Sequence, residues 1–215
     1  MKYASLDKGK LLTAVERLSE VDPHMRRVAD QHGPPPLWKR PATFGTLVHV
    51  VLEQQVSLDS AKATFDRLSV VCDGRVSADR VEKLGDSGLR EIGFTRQKSR
   101  YVSALADDVV SGRFRVGSLR HASDGEVRRR IKSRLGLGDW TADVFLLMAL
   151  TRPDVLPTGD LALVKGMREL DGGDYANADQ VSSRAEAWRP YRSVATRMIW
   201  QLYLANRNRL EKFSG

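Results

Sequence analysis

The chain has 215 residues, enough to bury one large core or two small ones, and its 35 Lys and Arg against 27 Asp and Glu give a net charge of +8. That sign suits a partner with a phosphate backbone. A single cysteine, Cys72, excludes an internal disulfide and a four-cysteine iron–sulfur cluster. The start MKYASLDKGK lacks the apolar run of a signal peptide, and the longest apolar run, Val144 to Leu150, is far too short to span a bilayer, so the expectation is a soluble, cytoplasmic protein.

Helical periodicity dominates. Leu11, Leu12, Val15 and Leu18 share one face of a first helix, which Asp22-Pro23 ends while opening a second. Gly33-Pro34-Pro35-Pro36 admits no helix and predicts a stiff, extended connector over the surface. A third helix is expected over about 43–54, with Phe44, Leu47, Val48, Val51 and Leu52 apolar, and Ala61, Phe65 and Leu68 mark a fourth. Short helices follow over 78–84 and 87–91, then a longer one over 95–111 with Tyr101, Leu105 and Val109 inward. The stretch 123–133 carries Arg128, Arg129, Arg130 and Lys132. After a glycine turn come helices over 139–150, 159–170, 179–188 and 191–207. Few segments alternate with period two, so sheet is minimal or absent. The reading is an all-α protein in two closely packed helical lobes with a cleft between them. Residues 1–40 with 171–215 should form one lobe, and 41–170 the other, with a helix-hairpin-helix at about 124–150.

The segment Leu135-Gly136-Leu137-Gly138-Asp139-Trp140-Thr141-Ala142 reads as a tight Gly-x-Gly turn leading into an apolar helix. Glycines at 136 and 138 allow positive φ and close backbone approach. The amides of the turn and of the new helix's start, with the helix dipole, make a phosphate site. Basic residues from Arg128 to Arg134 would reinforce a non-specific grip; the alternative is an ordinary connection between helices. Asp160 follows 18 residues after Ala142, in Pro157-Thr158-Gly159-Asp160, at a helix start where an acid is ordinarily a cap. A phosphate-gripping hairpin and one carboxylate joined by a helix suggest chemistry on nucleic acid.

Four segments in order carry a resemblance: LVHVVLEQQVS, GLGDWTADVF, LPTGDLAL and WRPYRSVATRMIW, within residues 21 to 202. They are similar to the L-V-x-x-I-L-x-Q-Q-V-S helix and loop, the G-h-G-x-W-T-A hairpin, the P-x-G-D-L segment and the closing W-x-P-W/Y-R-S helix of the helix-hairpin-helix (HhH-GPD) DNA glycosylase superfamily. The 3-methyladenine DNA glycosylase II branch is the one resembled. The resemblance implies a two-lobed helical glycosylase that flips alkylated purines out of double-stranded DNA and excises them by hydrolysis in base-excision repair. It makes Asp160 the catalytic carboxylate, which would stabilise the oxocarbenium-like transition state or orient the attacking water. It places Trp140, Phe145 and Trp200 in the base pocket, where indole faces suit a cationic base. Gly136, Leu137, Gly138, Thr141 and Lys165 become DNA contacts. Gln54, Gln55 and Ser57 lie in the loop that enters the duplex, with Gln55 as the wedge that fills the hole left by flipping.

Trp140 stands where strand-cutting relatives hold a nucleophilic lysine, so no strand-cleaving (AP-lyase) activity is expected. No cofactor is implied, although the family hairpin can hold a monovalent cation through backbone carbonyls when DNA binds. His24, His32, His49 and His121 are scattered and suggest no metal site. The expected state is a monomer on damaged double-stranded DNA. The chain departs from the pattern in three places. Leu135 replaces a proline, Asp139 puts a negative charge beside the hairpin, and Val144 stands where one branch has a pocket tyrosine. The extra N-terminal sheet domain of longer members is also missing from the pattern. Two alternatives stay open: a glycosylase for deaminated or mismatched bases, and a helix-hairpin-helix module that binds DNA without catalysis.

Overall fold

The computed structural model describes residues 4–210, and among them every regular element is helical. Helices α1 (Lys8–Val21) and α2 (Pro23–His32) lead through an irregular connector to α3 (Phe44–Glu53) and α4 (Leu58–Val71). Helix α5 (Ala78–Glu91) is interrupted at Gly85, whose φ of 63° splits it into the two short helices expected there. Then come α6 (Arg96–Val110), a 3-10 turn (Val116–His121), α7 (Asp124–Lys132) and α8 (Asp139–Val144), which Phe145–Ala149 prolongs as a π-helical turn. Helices α9 (Leu161–Asp171), α10 (Ala178–Ala185) and α11 (Arg192–Ala205) complete the order. Among the described residues no helix is long and apolar enough to cross a membrane.

Short polar side chains set most helix starts. Asp7, Thr43, Ser57, Thr95, Ser123, Asp160 and Asn177 each accept a hydrogen bond from the backbone N–H three residues on, satisfying a donor the helix cannot. Asp22 caps α2 from His24, with Pro23 at the first helical position.

The chain forms two compact units, one spanning Arg40–Phe145, the other combining Ala4–Lys39 with the chain from Leu146 onward. The first unit packs α3 against α4, α6 and α8, α5 against α6, and α7 against α8. Its buried side chains include Leu47, Val51, Leu68, Leu89, Leu105, Leu119 and Ile131. The inward face of α6 is Val102, Leu105 and Ala106, so Tyr101 and Val109 sit half-buried at its edges rather than inward.

In the second unit α9 packs on α11, and α11 on α1 and α2, around Leu18, Met25, Met167, Trp188 and Met198. Leu12 falls off the buried face formed by Leu11, Ala14, Val15 and Leu18 and is exposed. The chain crosses into this unit at Leu146, earlier than the residue 171 expected. The cause lies in α9, whose Leu163, Met167 and Leu170 are part of the second unit's core. Gly166 seats α9 on α11, since a Cβ there would lie 2.5 Å from Ile199 Cγ2 and 3.0 Å from its carbonyl oxygen.

A polar stripe on α11 holds the rest of this unit. Arg197, fully buried, donates to the carbonyls of Leu37 (2.9 Å), Ser193 (2.9 Å) and Leu147 (2.7 Å). Burial pulls its pKa down to about 9, which leaves it charged at neutral pH. One turn further on, Gln201 donates to the His32 carbonyl (3.0 Å), and one turn back Ser193 Oγ accepts from Val155 N–H (2.9 Å). The proline connector is therefore pinned at both ends, with Pro35 buried between exposed and partly exposed neighbours.

Candidate active site

The second unit carries the carboxylate. Asp160 N–H donates to Pro157 O (2.9 Å), closing the turn over Thr158-Gly159, and φ −81°, ψ 117° keep Asp160 just outside α9. Its Oδ1 accepts from Leu163 N–H (2.7 Å) and from the Trp200 indole Nε1–H (3.0 Å). The cap and the functional candidate are thus the same group: the cap bond fixes the side chain, and the N-terminus of an 11-residue helix favours its negative charge. Asp160 is 9% exposed. Trp200 is half-buried, and its polar edge is committed to Asp160. Trp38, at the end of the pinned connector, lies 6.3 Å from Trp200 between ring centroids at an interplanar angle of 60°. Lys165 is exposed on α9.

The first unit carries the hairpin and the loop after α3. Gly136 has φ 76°, and a Cβ there would fall 2.2 Å from the Tyr101 ring, so glycine is required on two grounds. Gly138 has an ordinary φ of −102° and opens α8 without a side-chain cap; its value is open space, not positive φ. Leu137 is buried and anchors the turn, while Leu135 beside it is exposed. Gln54 does not face outward as expected of a DNA contact. Its carboxamide donates to Gly136 O (3.1 Å) and to Thr141 Oγ1 (3.0 Å), tying the loop to the hairpin. Lys98 reinforces the same corner by donating to Leu52 O (2.6 Å). Beyond Gln54, Gln55 is exposed with φ 56°, Val56 is exposed, and Ser57 caps α4.

Several expectations need correction. Phe145 is fully buried and Thr141 nearly so, hence neither offers surface to a base or a phosphate; Phe145 belongs to the core and Thr141 to the tie with Gln54. Val144 is likewise buried. Trp140 is half-buried. The basic residues of α7 and the turn after it are paired within the chain: Arg128 with Asp143 (2.7 Å), Arg129 with Glu126, Lys132 with Asp139 (2.6 Å) and, beyond α7, Arg134 with Asp108 (2.9 Å), while Arg130 donates to Ser118 Oγ (2.8 Å); Arg129 and Lys132 stay exposed. Burial pushes the Asp143 carboxyl above its ordinary value, with Arg128 opposing. Asp139, a concern from sequence, has its charge balanced by Lys132. Trp38, Tyr101 and Arg197 escaped the sequence reading as site residues, because each acts through a partner far away in the chain.

Residues 48–190 match the model of the HhH-GPD superfamily of base excision DNA repair proteins. The chain belongs to this superfamily. Among similar HhH-GPD proteins is the putative DNA-3-methyladenine glycosylase YfjP of Bacillus subtilis, 21% identical over 91% of this chain and 75% of that protein. Another is DNA-3-methyladenine glycosylase 1 of Schizosaccharomyces pombe, 24% identical over 91% of this chain and 90% of that protein. The solved structure of the S. pombe 3-methyladenine DNA glycosylase in complex with abasic DNA superposes with a TM-score of 0.80, covering 88% of this chain and 95% of that one at 24% identity. The two-lobed helical glycosylase fold implied by the sequence motifs is thus the fold of the chain.

Proposed function

We propose that the chain is a monofunctional DNA glycosylase that excises alkylated purines, of the 3-methyladenine and 7-methylguanine type, in base-excision repair. It acts as an intracellular monomer on double-stranded DNA that carries the damaged base. One observation carries the reading: Asp160 is buried, oriented by two N–H donors on a single oxygen, and set at a helix N-terminus. The names of the relatives point to the same substrate class.

The chemistry follows from that placement. With the nucleotide flipped out, the C1′–N bond breaks and its electron pair leaves with the base, which departs neutral because alkylation had made it cationic. Positive charge develops on the sugar, and a fixed carboxylate in a water-poor site stabilises it. Water adds at C1′ and gives up its proton, for which Asp160 is the base at hand. The product is an abasic site. Trp140 supplies no amine where strand-cutting relatives hold lysine, so a Schiff base has no donor at this position. A monovalent cation, were one to bind at the hairpin with DNA, would be held by backbone carbonyls of the turn, of which Gly136 O also accepts from Gln54 and Arg134 O from Leu137 N–H (3.2 Å).

The test compares base release from methylated duplex DNA by wild type and Asp160→Asn. Asparagine keeps an oxygen for both N–H donors, so the variant should fold and bind DNA but release no base. Release at the wild-type rate would remove Asp160 from its role, and adducts trapped by borohydride with abasic DNA would contradict the monofunctional assignment.

A further inference from the structure

At the C-terminal end of α3, Gln54 ties the loop to the hairpin; the N-terminal half of the same helix lines something else. An open groove of about 860 Å3 lies within the first unit, between the first half of α3, the middle of α4, the start of α5 and the end of α6. From Phe44 to Gln54 the helix advances about 15 Å, so the groove and the hairpin tie sit towards opposite ends of α3. The floor is uncharged. Phe65 stacks flat on His49, with 4.3 Å between ring centroids and 9° between planes, and burial pulls the His49 pKa below its ordinary value. Arg40, at the edge, is held by Glu53 through two bonds of 2.9 and 2.6 Å. Val76, Val109 and Val110 supply apolar walls.

Two features of the rim point to a partner. The first is exposed apolar surface. Val110 is 47% exposed, and Val70 and Val71, which end α4 just after the lining residue Ser69, are 76% and 44% exposed. Three exposed valines around a largely apolar groove form the kind of patch that marks an interaction site. The second is charge. On the flanking stretches Lys62, Arg80 and Arg113 are paired with Asp66, Asp73 and Asp107. Arg75, exposed on the groove lining, has no carboxylate partner among the described residues. Helix α3 adds its positive end, with no acid in the first turn. Asp79 also lines the groove, but it accepts from the Ser77 hydroxyl and stands in the first turn of α5, where the helix dipole offsets its charge.

We infer that this groove docks a short segment of a partner protein, apolar at its centre and acidic at its flank, with Arg75 holding a carboxylate and the valines covering apolar side chains. A phosphate chain fits the surface less well. It calls for several free cations in a row, whereas the neighbouring cations are already paired, and it gains nothing from exposed valines. The groove takes one short segment, so a micromolar affinity is expected. Nothing in this inference depends on the glycosylase reading.

The experiment uses the full chain and a fluorescein-labelled pool of peptides of roughly twelve residues, with Leu, Phe and Val at random in the middle and Asp and Glu at the ends, read by anisotropy at physiological salt. Two companion pools replace the acids by Lys, or the apolar residues by Ser. Saturable binding of the acidic apolar pool is expected, with both companions weaker by about tenfold or more. Arg75→Glu and Val110→Asp should each weaken binding by about tenfold, the scale of one charge-assisted hydrogen bond or one covered side chain. Lys8→Glu makes the same change of net charge as Arg75→Glu but on α1, and it should leave binding within about twofold. Arg75 and Val110 are exposed, so Tm should move little; should Val110→Asp lower it, Arg75→Glu decides alone. No saturable binding by about 1 mM overturns the inference. Equal binding of the Lys pool, or equal weakening by Lys8→Glu, overturns it as well. Displacement of the peptides by undamaged duplex DNA, or a loss of duplex affinity in Arg75→Glu that Lys8→Glu does not share, would give the groove to nucleic acid instead. A dimer in sedimentation that Val110→Asp dissolves would give it to a second copy of the chain, and the inference would fall.

Discussion

Replacing Gly136 with alanine tests whether the hairpin turn is built as described. The new methyl would stand 2.2–2.3 Å from three carbons of the Tyr101 ring, on a backbone at φ 76°. A left-handed backbone costs a residue with a Cβ about 1–2 kcal/mol. Forcing a methyl into occupied space typically costs about 1–3 kcal/mol more. The sum, about 2–5 kcal/mol, is a large share of the roughly 5–15 kcal/mol that holds a folded protein together. For a chain of this size Tm should fall by roughly 2–4 °C per kcal/mol. The two parts separate in a double-mutant cycle with Tyr101→Ala, measured by urea unfolding. Without the ring, Gly136→Ala should retain its backbone cost but lose the steric one, giving a coupling of about 1–3 kcal/mol. Duplex affinity should drop for Gly136→Ala, because the displaced turn no longer aims its amides at a phosphate. Strictly additive single-mutant effects, or an unchanged Tm for Gly136→Ala, would refute the reasoning.

Other variants probe the remaining contacts. Gln54→Ala removes both donors to Gly136 O and Thr141 Oγ1 and should cost about 1–3 kcal/mol in urea unfolding; Gln54→Glu should be worse, since it sets an acceptor against a carbonyl. Asp139→Asn frees Lys132 and deletes an acid beside the hairpin, so duplex affinity should rise and the salt dependence should steepen by about one phosphate contact, roughly 0.9 in log–log slope. The second unit should be acid-labile. Burial pushes Asp22 and Asp171 up, but hydrogen bonds from Trp188, Arg184 and Tyr175 and the Arg184 charge outweigh it and hold both carboxyls below their ordinary 3.8. Carboxylates depressed in the folded state stabilise it fully above the unfolded value. That contribution is lost as pH falls through the folded values, so unfolding midpoints should decline below about pH 4, and less steeply for Asp22→Asn.

The helices were legible because their signals are local. Apolar spacing in α3, Thr43 and Ser57 as caps and Pro23 at a helix start act within a turn or two of where they stand. Asp160 was legible for the same reason, as an acid after a Pro-x-Gly turn. What escaped depends on partners far off in sequence. The ion pairs of Arg128, Lys132 and Arg134 gave no sign in the sequence, because Asp143, Asp139 and Asp108 lie 15, 7 and 26 residues away from them. Phe145 and Thr141 matched family positions, but the same apolar and β-branched character also suits a core, and burial is settled by neighbours rather than by motif. Trp38 gave no sign, because Trp200, whose ring it meets, and Arg197, which holds the preceding carbonyl, both stand on α11, far off in sequence.

The carboxamide of Gln54 has a mechanical consequence. Its two bonds lock the exposed tip at Gln55 and Val56 to the hairpin, with the Lys98 ammonium bracing the root of the same loop. On the proposed reading, the tip would hold its place relative to the hairpin when the hairpin meets the sugar–phosphate chain. How far the loop would enter the stack would then be set by where the backbone amides come to rest, as the shoulder of a drill bit sets the depth of a hole. Sound and damaged DNA would be probed to the same depth, and what differs is whether the base on the far side gives way.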